Sequence, residues 1–324
     1  MTKRSAPLPQ LPATGNLWRT DQLHAKGLNS RTIRHLVNQG SLVRLRYGCY
    51  IRGSVWEKQS AKVRSLQLIH AHAHGTLTTS TGNLVYSHTS AARLHRLFLW
   101  DVDDLIHILL RVRPSGERLG KDVRGHTRPY TDSEVTMIGN LRVTTLERTV
   151  VDCGMMLEYR QALILVDHAL RFGASPDLMN AMAGNLSGCG GIRTLRPALA
   201  NADARAESAG ETLTRELLAR LNLPMPEAQV EVRSRLGWHR FDFAWREKKV
   251  ALEFDGRIKY FDYAPTAEVL YQERRREKAL TEEGWLFVRV EWKDLFREHE
   301  FKNRILAALS NRAGVQIAGT VPGR

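Results

Sequence analysis

Residues 240–260 read RFDFAWREKKVALEFDGRIKY. Phe241, Phe243 and Trp245 alternate with Asp242 and Ala244, and Val250, Leu252 and Phe254 alternate with Ala251, Glu253 and Asp255. A period of two is the mark of a strand, so the segment predicts a β-hairpin turning at Arg246-Glu247-Lys248-Lys249. A symmetric loop there pairs Trp245 with Val250, Ala244 with Ala251, and Asp242 with Glu253. The two acids then share one face, directly opposite each other. Like charges so placed repel, and a shared divalent cation is the usual relief.

The flanking sequence extends the hairpin into a larger sheet. Glu207–Leu221 and Ala267–Glu283 are patterned as helices, the second stopped by Gly284; Gln229–Arg235 and Trp285–Glu291 are patterned as strands. Two strands joined through one helix imply a parallel crossover, giving a mixed sheet covered by helices. Glu207 and Glu211 lie four apart on one helical face, and Lys259 follows Asp255 by four residues. Acids gathered near one lysine suit metal-dependent phosphodiester hydrolysis: the carboxylates of Asp242, Glu253, Glu211 and Asp255 are candidate ligands for Mg²⁺ (or Mn²⁺), and Lys259 steadies the water or the developing charge. Other roles stay open for the same residues. Ser208, three before Glu211, fits a capping box, and Arg240 and Arg257 are alternative ion-pair partners for Asp242 and Asp255.

The chain has 324 residues and a net charge of +14, with 43% hydrophobic and 25% charged residues. This is a globular composition, the length suits more than one domain, the element pattern makes it an α/β multidomain chain, and its basic balance points to a polyanion, double-stranded DNA first. Three scattered cysteines, Cys49, Cys153 and Cys189, argue against a disulfide framework. With no signal peptide and no apolar run of membrane-spanning length, a cytoplasmic protein without a membrane partner is expected. A loose arm over 1–14 precedes a first module, 15–54. There a helix at Thr20–Lys26 with Leu23 and Ala25 inward, a turn, and a helix from an N-capping Ser30 to Gln39 precede a two-stranded wing. Arg31, Thr32, Arg34, His35 and Asn38 project from the second helix, Arg44 and Arg46 from the wing, and Asp21 is the module's one acid. Those residue types suit phosphate and base-edge contacts. An α/β body follows over 55–180, with a helix from Trp56 to His74 and another begun by a Thr144/Glu147 capping box. A linker and helix cover 181–205, the hairpin module covers 206–309, and a tail covers 310–324. His70 and His74 share a helix face, but no third metal ligand accompanies them.

Two resemblances rest on these residues. Glu207–Leu295 resembles the very-short-patch-repair endonuclease-like branch of the PD-(D/E)XK nuclease superfamily, through ESAGET, LPMPEAQVEV, RFDFAW, ALEFDGRIKY, ERRREKAL and GWLFVRVEWKDL. The resemblance implies a restriction-endonuclease-like mixed sheet flanked by helices and hydrolysis of DNA phosphodiester bonds. Asp242 is then the first motif aspartate, Glu253 the second acid, Glu211 (or Glu207) the helix-borne acid, and Arg276 a DNA-contacting arginine before the last strand. Asp255 stands where the superfamily places lysine, with Lys259 as a substitute. The stretches GNLWRTDQLHAKGLNSRTIRHLVNQGSLVRLRYGCYI, YSHTSAARLHRL and LRVTTLERTVVDC resemble the winged-helix domain and following body of AbiEi antitoxins of type IV toxin–antitoxin systems. That likeness implies DNA binding, a cognate toxin as partner, and a second reading as a transcriptional regulator whose nuclease fold is inactive.

Overall fold

The computed structural model describes residues 11–12, 14–76, 84–111, 119–256 and 267–311, so Arg257 and Lys259 lie outside the described residues. The chain forms two compact units, 1–153 and 154–324. Among the described residues, no helix is long and apolar enough to cross a membrane.

The first unit begins with β1 (Leu17–Arg19), α1 (Thr20–Ala25), α2 (Ser30–Asn38), β2 (Leu42–Arg46) and β3 (Cys49–Arg52), with strand order β1-β3-β2. Trp18, Leu23, Leu28, Ile33, Leu36 and Leu42 make one small core, which is why the two helices pack on this sheet. Two local expectations shift. Asn29 rather than Ser30 caps α2, accepting the Thr32 N–H at 3.0 Å. Ala25, expected inward, is exposed, because the short α1 buries Leu23 alone.

The unit continues through α3 (Gly53–Glu57), α4 (Ala61–Thr76), β4 (Val85–Tyr86), α5 (His88–Leu94), β5 (Ile106–Leu109), β6 (Val123–His126), β7 (Val135–Ile138), β8 (Leu141–Thr144) and α6 (Leu146–Gly154). The single helix expected from Trp56 to His74 is therefore two, restarting where the Ser60 carbonyl accepts the Arg64 N–H. The five strands run in the order β6-β5-β4-β8-β7, and Ile69, Tyr86, Leu94, Ile106, Ile108 and Val143 lie in the core beneath them. At α6 the capping hydroxyl is that of Thr145, which accepts the Arg148 N–H at 3.4 Å. Thr144 Oγ1 instead bonds Thr149 Oγ1 at 2.6 Å.

The second unit opens with α7 (Tyr159–Arg171), α8 (Pro176–Gly184), α9 (Ile192–Ala200) and α10 (Ala209–Arg220). The sheet follows as β9 (Glu227–Ser234), β10 (Gly237–Trp245), β11 (Val250–Phe254) and β12 (Leu286–Val290), with α11 (Ala267–Glu282) before β12 and α12 (Glu298–Asn311) after it. Strand order is β12-β11-β10-β9, with β11 and β12 parallel as expected of the crossover. Val230, Val232, Phe241, Ala244, Ala251, Leu280 and Trp285 form its core.

Two contacts hold α10 in place. The buried Asp167 carboxylate on α7 accepts from Thr212 Oγ1 at 2.7 Å and from Arg215 at 2.6 Å. Burial opposes its ionisation, and the Arg215 charge works against that penalty. At the first turn of α10, Gly210 lies against the Phe254 ring so closely that an added Cβ would sit 2.0 Å from it. The ring itself packs edge-on against Trp292, 5.3 Å between centroids, so it has little freedom to withdraw. Gly210→Ala should lower unfolding stability by about 1–3 kcal/mol, the usual cost of overpacking, measured by urea denaturation. Adding Phe254→Leu should recover part of that loss; equal losses with and without it would place the strain elsewhere.

Candidate carboxylate site

The site begins with the register of β10 and β11. Trp245 pairs with Val250, Ala244 with Ala251 and Phe243 with Leu252, as the alternation requires. Asp242 and Glu253 are next in line, and there the strands part: the Asp242 carboxylate accepts the Phe254 N–H at 2.8 Å. On the other edge of β10, pairing passes from Phe241–Val230 to Phe243–Ala228. Gln229, skipped by the ladder opposite Asp242, takes φ +54°, a left-handed conformation costly for a residue with a side chain. Its amide donates to Glu211 Oε2 at 2.8 Å, while its own Oε1 is buried without a hydrogen-bond partner.

Glu211 is buried in the first turn of α10. It accepts the Glu207 N–H at 2.9 Å and the Ser208 hydroxyl at 2.8 Å, and its own N–H reaches Ser208 Oγ at 3.2 Å. The exchange with Ser208 is the helix-capping role open to it in sequence. Glu211 also senses the site: burial pushes its carboxyl up from the ordinary range, and the Asp242 charge pushes it further. Glu207 pairs instead with Arg171 at 2.9 Å and Arg240 at 2.8 Å.

Asp242, Glu253, Phe254, Asp255, Gly256, Glu273 and Arg289 line a cleft of about 240 Å³. Glu253 lies beside Arg289 in the parallel ladder. Burial raises its carboxyl; Arg289 and Arg276 oppose that shift, while Glu277 and Glu273 add to it. Arg289 is also bound to Glu277 at 2.9 Å, and Arg276 Nε donates to His239 Nδ1 at 2.9 Å. Glu273 and Arg289 were not singled out in the sequence; they reach the cleft from α11 and β12 through the tertiary fold. The donors are hard oxygens of the kind that suit Mg²⁺ or Mn²⁺. Among the described residues, however, no three of these carboxylates bring oxygens within 4.8 Å of one another. Mg²⁺ is commonly held by one or two carboxylates, with water and phosphate completing its shell.

In the first unit, Arg31, Arg34, His35 and Asn38 are exposed along α2, and Thr32 is half-buried. Arg44 is exposed over the Tyr47 ring, 5.1 Å from its centroid, whereas Arg46 pairs with Asp122 at 3.3 Å. His70, His72 and His74 take separate roles: His70 is exposed, His72 meets the Tyr86 hydroxyl at 2.8 Å, and His74 meets Gln22 at 2.9 Å. His88, His107 and His126, which sequence reasoning missed, converge instead, with nitrogens all within 4.8 Å of one another. They stand on three elements with no local spacing to betray them.

No family model matches the chain. It is 29% identical over 266 residues to an uncharacterized protein of Mycobacterium tuberculosis strain ATCC 25618 / H37Rv, covering 81% of this chain and 90% of that one. Its counterpart in strain CDC 1551 / Oshkosh matches with the same 29% identity and the same coverage.

The raised Glu253 carboxyl fixes the sign of a stability effect. Its proton is held more tightly in the folded chain than in the unfolded one, so ionisation costs stability; the cost is absent below the unfolded value and fully present above the folded one. Glu253→Gln should therefore raise the urea midpoint at neutral pH, and the gain should vanish as pH falls below the ordinary glutamate value of 4.5. A gain that persists unchanged at lower pH would mean the substitution acts through packing.

Proposed function

We propose that the protein is a DNA-binding, metal-dependent endonuclease: the second unit hydrolyses DNA phosphodiester bonds and the first carries a winged helix that engages double-stranded DNA. The observation that carries this reading is the placement of Asp242 and Glu253 at the parting of β10 and β11, where both line one cleft with Arg289. Mg²⁺ (or Mn²⁺) bound by these two acids would polarise the phosphate and lower the pKa of an attacking water. Arg289 and Arg276 beside Glu253 offer positive charge to a phosphate entering the cleft. Asp242 is held in orientation by the Phe254 N–H, and Glu211 by Ser208, the Glu207 N–H and Gln229. The exposed Arg31, Arg34, His35 and Asn38 on α2, in a chain of net charge +14, support DNA as the polyanion.

A second reading is a regulator of the antitoxin type, with a cognate toxin as partner and a nuclease fold that does not cut. It is favoured by Asp255 at the position of the superfamily's lysine. A supercoiled-plasmid nicking assay separates the two. The endonuclease reading expects nicking with Mg²⁺ or Mn²⁺, its loss in EDTA, and its loss in Asp242→Ala and Glu253→Ala variants of unchanged circular dichroism. Cutting by either variant at the parental rate would overturn it. In both readings Arg31→Ala with Arg34→Ala should weaken DNA binding and make its logarithmic salt dependence shallower by about 0.9 for each phosphate that is no longer neutralised. An unchanged salt slope would remove α2 from the interface.

A further inference from the structure

We propose that His88, His107 and His126 form a second metal site, one that takes a single divalent ion of the borderline transition series, Zn²⁺ first, with a water or an anion as fourth ligand. This site belongs to the first unit and shares no residue with the carboxylate cleft.

The three imidazoles are brought together by the sheet. β5 and β6 are parallel, with His107 opposite Arg124. His126 lies two residues beyond Arg124, so alternation puts it on the same face as His107. β4 runs beside β5, and the Ser87 N–H donates to the His107 carbonyl at 3.0 Å, which delivers His88 to the same place. His88 holds φ +48°, a conformation that costs energy for a non-glycine residue and recurs at functional sites.

Each ring nitrogen the structure partners has a recognisable place. His107 Nδ1 and His126 Nε2 are 2.9 Å apart at the centre of the cluster. His88 Nδ1 meets Ser87 Oγ at 2.9 Å, and His107 Nε2 faces Asp103 at 3.9 Å and makes no hydrogen bond although buried. A ligating imidazole that turns its second nitrogen to a hydroxyl or carboxylate is the common outer arrangement of metal sites. Burial keeps all three rings in the neutral form that binds metal: His107 and His126 are each lowered to about 4, and His88 is lowered as well. The Arg128 and Arg148 charges add to the lowering of His88, and positive charge beside a dication favours an anionic fourth ligand. Three imidazoles are soft enough to prefer Zn²⁺, Co²⁺ or Ni²⁺ over Mg²⁺.

As they stand, the His88 and His126 rings are stacked 3.6 Å apart and inclined by 16°, so one ion does not lie in both ring planes. Loading turns one of them about its side-chain torsions, and His126, half-buried where His88 is buried, is the one nearer solvent.

The full chain carrying Asp242→Asn and Glu253→Gln, stripped with a chelator, is titrated with Co²⁺ and then with Zn²⁺. The expected result is one Co²⁺ per chain with the visible absorption of a four-coordinate ion, bleached by one equivalent of Zn²⁺. His88→Gln and His126→Gln, each checked for an unchanged circular dichroism spectrum, should each weaken Co²⁺ binding more than about tenfold. His126, being half-buried, keeps the test usable should the His88 variant not fold. The proposal is overturned by the absence of a stoichiometric ion in the parent, or by folded histidine variants that bind as tightly as the parent.

Discussion

The pair of acids at the candidate site is set by one strand register. Because Trp245 faces Val250 and Phe243 faces Leu252, Asp242 and Glu253 arrive together at the point where β10 and β11 separate. A one-residue slip of β10 would leave Asp242 and Glu253 on opposite faces and bring Phe241 and Phe243 out of the core. Burial of Phe241 and Phe243, at 1% and 3% exposure, therefore fixes the position of the acids as firmly as any bond the acids make. The cost is electrostatic: Glu253 and Glu211 are both pushed toward their protonated forms by burial. A divalent cation would offset that cost, as the proposed hydrolase requires.

The parts of the fold that alternate or repeat were legible in the sequence, and those set by distant partners were not. The hairpin from Phe241 to Phe254 shows its period directly, as does the Ile33 and Leu36 face of α2. Caps fell one residue away at Asn29 and Thr145 because neighbouring polar side chains compete for the same N–H groups, and only the backbone dihedrals decide between them. β1, β6 and β7 are three or four residues long, too short to establish a period of their own. Gln229 became visible only with the bulge that sets it beside Glu211. Glu273 and Arg289 come to the cleft from separate elements, so no spacing along the chain announced them.

The histidine triple shows the same limit more sharply. His88, His107 and His126 belong to a helix start and two strands, and their meeting is a property of the sheet order. The carboxylates of the second unit are hard donors; the imidazoles of the first are neutral and borderline. The two proposed sites would therefore select different metals by donor chemistry, and each can be removed without touching a residue of the other.

Joint binding of one hard divalent cation by Asp242 and Glu253 is the proposal on which the hydrolase reading stands. Mn²⁺ titration followed by electron paramagnetic resonance tests it most directly, because bound Mn²⁺ loses the signal of the free aquo ion. The expected result is a bound Mn²⁺ in the parent that is displaced by excess Mg²⁺ and is lost from a folded Asp242→Asn, Glu253→Gln double variant. Binding of the same stoichiometry and affinity in that double variant would contradict it.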